Sequence, residues 1–124
     1  MDKNKLALTI VRIAAAGNMI IHGITRLSLG TVSNFDEYLS SLGFPPYTAW
    51  AITFFEILGG IAVIVGKWVT PISIVFCVQL IMGIALVHFS EGWFVVGAGR
   101  NGMEYSVLLI ICFASTGIAN WKKP

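Results

Sequence analysis

Four stretches of this chain, residues 6–29, 47–66, 71–89 and 103–121, are long and almost wholly apolar, and little sequence is left between them. A helix crossing hydrocarbon needs about 20 mostly apolar residues, and only helices or closed barrels satisfy their backbone groups there. Each stretch is therefore read as a membrane-spanning helix. The links are residues 30–46, a tight turn near 67–70 and a Gly-containing loop at 90–102. Short links make successive helices antiparallel neighbours, so the expected fold is all-α: an integral membrane up-down four-helix bundle forming one domain over residues 1–124. With 56% hydrophobic and 11% charged residues, the chain is too apolar for an ordinary water-soluble domain.

Local signals place the helix ends. Thr70 before Pro71 reads as an N-cap with proline in the first helical position. Ser33 followed by Asp36 reads as a capping box, and Phe35, Tyr38, Leu39 and Leu42 then recur at helical spacing up to Gly43. A short amphipathic helix at the membrane interface is expected in this first loop. Lys3, Lys5, Lys67, Lys122 and Lys123 fall on one side of the predicted bundle, whereas Asp36, Glu37 and Glu91, with Arg100, fall on the other. The positive-inside rule then puts both termini in the cytoplasm. The membrane expected is the cell's plasma (inner) membrane. Trp50 and Trp93 on one side and Trp68 and Trp121 on the other fit aromatic belts. The first span is longer than the apolar core of a signal peptide and contains Arg12 and Arg26, so it is expected to remain in the mature protein. A net charge of +2, without a basic run or stripe, argues against nucleic acid as a partner.

Ionisable groups inside spans are penalised by roughly 2.5–3.5 kcal/mol each, so those retained are the first candidates for function. They are Arg12, His22, Arg26, Glu56, His88 and Glu104. All but Arg12 lie from mid-span to the outer end once helix direction alternates, which predicts a polar, outward-facing cavity. His22 and Arg26 are one turn apart on one face. Glu56, in mid-span, is expected to pair with Arg26 or Arg12 or else to carry a proton. Each residue also has a structural reading: Glu104 with Asn101 as a helix cap, the histidines as interface groups, Arg12 reaching to the headgroups, Glu56 in a packing salt bridge. Gly59, Gly60 and Gly83 read as close helix contacts. Cys77 and Cys112 stand alone in apolar surroundings, and no metal-ligand spacing is present.

Taken together, these residues resemble the DoxX family of small four-helix membrane proteins. The resemblance is carried by Arg12, His22-Gly23 with Arg26, the stretch from Phe35 to Leu39, Leu42-Gly43-Phe44-Pro45, Glu56 with Gly59-Gly60, Gly66, Thr70-Pro71, Met82, His88 and Glu104. Arg26 departs from the family's more frequent lysine, and the residues after Ala119-Asn120 lack its usual Gly and Ser-Leu-Asp ending. The resemblance implies a membrane subunit of an oxidoreductase, since relatives pass electrons from sulfur compounds to quinone. His22, Arg26, Glu56, His88 and Glu104 would then surround a quinone headgroup, with His22, His88 and Arg12 as the cofactor-facing groups. No haem-attachment, iron–sulfur or dinucleotide motif is present, so a soluble or membrane redox partner would bring electrons. Axial haem ligation by His22 and His88 is the weaker variant. Two other classes stay open: a small-molecule or proton-transport module, which four helices would build as a homo-oligomer, and an accessory or assembly protein whose polar core only fixes packing.

Overall fold

The computed structural model describes residues 2–94 and 102–121. Arg100, Asn101, Lys122 and Lys123, on which the loop charges and the Glu104 cap reading depended, lie outside the described residues. The described residues are helical and contain no strand: α1 Lys3–Ser28, α2 Val32–Ser41, α3 Thr48–Val65, α4 Val69–Gly83 and α5 Glu104–Ala119. A π-helical turn, Ile84–His88, extends α4 directly. Lys3–Ser28, Thr48–Val65 and Val69–His88 are long and apolar enough to cross a membrane, while Glu104–Ala119 is apolar but shorter. Large apolar side chains such as Ile21, Leu58, Val78, Ile111 and Ile118 point outward. That is costly in water and natural in lipid.

The chain divides into two compact units, Ala16–Lys67 on one hand and the described parts of Met1–Ala15 and Trp68–Pro124 on the other. In the first unit, the later part of α1 packs closely on α3. A Cβ built on Gly60 would lie 2.5 Å from Ile20 Cγ1 and 3.0 Å from the Ala16 carbonyl, and one built on Gly23 would lie 2.7 Å from Ile57 Cγ1. Small residues thus let two backbones approach, as interhelical packing in lipid favours. Gly60 was expected in this role; Gly23 was not. Helix α1 ends where the Thr31 N–H reaches back to the Arg26 carbonyl at 3.1 Å and the Gly30 N–H to that of Leu27 at 3.2 Å, a Schellman closure.

Helix α2 forms over Val32–Ser41, but not through the expected capping box. Its N-cap is Thr31, without a side-chain capping bond, and Ser33 already lies inside the helix. Asp36 instead turns outward to the next helix: its carboxylate accepts the N–H of Tyr47 at 3.2 Å and of Ala49 at 3.1 Å, so it caps α3. A carboxylate on the otherwise unsatisfied N–H groups of a helix start is favourable both as a hydrogen-bond acceptor and against the helix dipole.

In the second unit, α4 and α5 pack with Phe76 and Phe113 at the centre, both fully buried with ring centroids 5.0 Å apart. The predicted Thr70 cap is also corrected. Helix α4 starts at Val69 after Trp68, and Thr70 Oγ1 donates to the Gly117 carbonyl of α5 at 2.9 Å. Pro71 therefore sits third in the helix, where its missing N–H leaves no helical bond unmade. Cys77 and Cys112 are free thiols, and the Cys77 S–H is directed at the Ile110 carbonyl 3.6 Å away.

Candidate functional site

A periodic polar stripe on α1 is the foundation of the site. Asn18, His22, Thr25 and Arg26 follow at three- and four-residue steps, which places them along one face of the helix. With Ile21, Leu29 and Thr31 they line an open groove of about 320 Å³. The stripe was half legible in the sequence: His22 and Arg26 were singled out as ionisable groups inside a span, while Asn18 and Thr25 gave no such signal.

Arg26 joins this groove to the interior of the unit. Its Nη1 lies 2.5 Å from Glu56 Oε1 and donates to Thr53 Oγ1 at 3.0 Å. The Thr53 hydroxyl donates in turn to the Ala49 carbonyl at 2.8 Å, so its orientation is fixed. Of the two cations the sequence offered Glu56, the structure therefore has Arg26. The Glu56 side chain is only 3% exposed and that of Arg26 20%. Removing two such charges from water is expensive, and close pairing plus added hydrogen bonds is what makes burial tolerable. The guanidinium carbon also lies 4.8 Å from the Phe35 ring centroid, a cation–π contact supplied by α2. Thr53 stands three residues before Glu56 on the same face of α3, a spacing from which it could have been found. Phe35 had been read only as part of an apolar stripe.

The remaining expected site residues are placed as follows. Arg12 is half-buried in the early part of α1, which belongs to the second unit. His88 closes the π-helical turn in that same unit, its imidazole lying back along the helix: a Cβ on Gly83 would meet His88 Cδ2 at 3.8 Å. A π-turn inserts an extra residue and so re-aims the side chains beyond it, which no periodicity argument anticipates. Glu104 is the first residue of α5, and its backbone N–H donates to the Trp93 carbonyl at 2.9 Å. Among the described residues no group of three or more His, Cys, Asp or Glu side chains could hold a metal ion.

Apolar helices of spanning length and a compensated charge pair inside one unit define a helical membrane protein with a polar groove. Family comparison gives the same class a name. The DoxX family model matches residues 7–89, and the chain belongs to the DoxX family. No curated protein and no solved structure matches it.

Proposed function

We propose that the protein is a membrane subunit of an oxidoreductase system, crossing the inner membrane four times as an up-down bundle with both termini cytoplasmic, and that its Arg26 groove receives a quinone headgroup. The observation that carries this reading is a guanidinium held by Glu56 and Thr53 in the wall of an open, otherwise neutral groove. The volume of 320 Å³ falls in the range of small-ligand sites, roughly 300–1,000 Å³. The donor set fits the group: a quinone offers two carbonyl acceptors, and Arg26, His22, Asn18 and Thr25 carry N–H or O–H groups. Ile21 and Leu29, both strongly exposed, supply apolar flanks for a ring and an isoprenoid tail arriving from the bilayer.

When bound, a quinone takes up two electrons and two protons to become the quinol. A redox partner supplies the electrons. On this chain, Arg26 holds the charge developing on a carbonyl oxygen, and Glu56 keeps Arg26 in place. His22, exposed at the groove, relays the two protons in turn from water through its ring nitrogens.

The test is to purify the protein in mild detergent, identify co-extracted small molecules by mass spectrometry, and titrate a short-chain quinone into wild type, H22A and R26Q. A co-purified quinone and saturable binding weakened in both variants support the reading. A ligand-free protein that binds no quinone, or equal binding in all three, overturns it. The topology is tested by epitope tags at each terminus: protection from external protease is expected, and cleavage from outside would reverse the orientation.

A further inference from the structure

Helix α2 spans ten residues, fewer than the roughly 12–15 at which isolated helices persist even in favourable sequences. A small set of contacts holds it. Val32 and Leu39 are buried, Phe35 lies over Arg26, and Asp36 binds the N–H groups of Tyr47 and Ala49. The other side chains, Ser33, Asn34, Glu37, Tyr38, Ser40 and Ser41, are exposed.

Glycines with positive φ flank α2 just beyond its caps, Gly30 at +67° and Gly43 at +99°, with nothing within 4 Å of where a Cβ would be. Such torsions belong to glycine by conformation, and glycine crosses between positive and negative φ with little steric resistance. Tyr47, at the start of α3, has φ of 70° without being glycine, and its N–H is one of the two bound to Asp36. That strained torsion is held in part by the Asp36 bond.

We propose that α2 is a hinged cover over the Arg26–Glu56 pair, latched by Asp36 to the first turn of α3, and that its opening adds the Phe35-covered face of Arg26 to the groove. Opening breaks the two Asp36 bonds and the Phe35 contact and uncovers Val32 and Leu39, while Arg26 keeps Glu56 and Thr53. Tyr47 is then released from its left-handed torsion, which favours opening. Thr31, which joins the Gly30 hinge to α2, also lines the groove, so the same movement changes its width. The cover operates whatever ligand the groove takes, and its test needs none.

Wild type and D36N, each in detergent micelles, are treated with phenylglyoxal, and adducts at Arg26 and Arg12 are quantified by peptide mass spectrometry alongside hydrogen exchange. D36N is expected to raise modification of Arg26 severalfold, leave Arg12 unchanged, and speed exchange of residues 32–41 while residues 53–65 hold. Unchanged Arg26 reactivity, or an equal rise at Arg12, overturns the cover. Should D36N fail to give a monodisperse protein, wild type decides. Amides of α2 exchanging no faster than the interior of α3 overturn the proposal, and faster exchange, with Arg26 modification following it as temperature rises, supports it.

Discussion

The two units are both helical and apolar outside, yet they solve their interiors differently. The unit Ala16–Lys67 places a charge pair at its centre and surrounds it with groups that each restrain another: Glu56 and Thr53 hold Arg26, Phe35 covers it, and Asp36 ties the covering helix to α3. Where α4 meets α5, the seam is filled by two interlocked phenyl rings, a threonine-to-carbonyl bond and small residues. The first arrangement spends stability on a polar group that packing alone does not need, and that is the ground for proposing a site there. The second does what membrane helices require to stay together.

The contrast breaks most sharply at Arg26. R26A leaves Glu56 buried without its cation, and loss of one partner from a buried pair typically costs about 3–5 kcal/mol. E56Q is expected to cost less, because its amide oxygen still accepts from Arg26. The double substitution R26M/E56L should recover most of the loss, since apolar groups of similar volume replace a buried pair at little cost. Unfolding in detergent monitored by helical circular dichroism measures all three. An R26A protein as stable as wild type would remove the charge pair as the organiser of its unit.

How far this centre was legible depends on which physics wrote each part. A charge in hydrocarbon is conspicuous in any sequence, so Arg26 and Glu56 could be chosen by composition alone, as could the three helices of spanning length. Their partners carry no such penalty. Thr53 and Asn18 look like ordinary span residues until the helix face is known. Asp36 was assigned to the wrong helix because its ligands, the N–H groups of Tyr47 and Ala49, exist only once the chain has folded back. The π-turn at Ile84–His88 and the left-handed torsions at Tyr47 and Trp68 are likewise products of tertiary fit.

A second comparison concerns two buried helix glycines. The Cβ of G60A would press on Ile20 and on the Ala16 carbonyl, and overpacking of this kind costs about 1–3 kcal/mol. I20A in the same chain should relieve the contact with the side chain and restore part of the loss. At Gly117 the nearest atoms to a new Cβ are Ser73 Cβ at 3.7 Å and Thr70 Cγ2 at 4.0 Å, ordinary contact distances. G117A is therefore expected to be stabilising by about 0.5–1 kcal/mol, the helix preference for alanine over glycine. Destabilisation by both substitutions to the same degree would show that the α4–α5 seam is as tight as the α1–α3 approach.

A single chemical change made in both interiors separates them most cleanly. Thr53 and Thr116 are almost completely buried, at 0% and 1% exposure. Thr53 Oγ1 accepts from Arg26 and donates to the Ala49 carbonyl, whereas the buried Thr116 Oγ1 has no hydrogen-bond partner among the described residues. Valine matches threonine in shape and removes only the hydroxyl. In T53V the guanidinium loses an acceptor it was positioned to use, and a hydrogen bond to a charged group is worth about 1.5–3 kcal/mol. In T116V nothing is disconnected and an unpaired polar atom leaves the interior, so the change is expected to be neutral or slightly stabilising. The Asn120 side chain still donates to the residue-116 carbonyl, because that contact is to the backbone. Parallel unfolding of the two variants in one detergent reads the difference directly. A loss in T116V equal to that in T53V would mean that the Thr116 hydroxyl is bonded in the folded protein, through a bound water or an ordered polar group, and the α4–α5 seam would then have to be counted as a second polar interior.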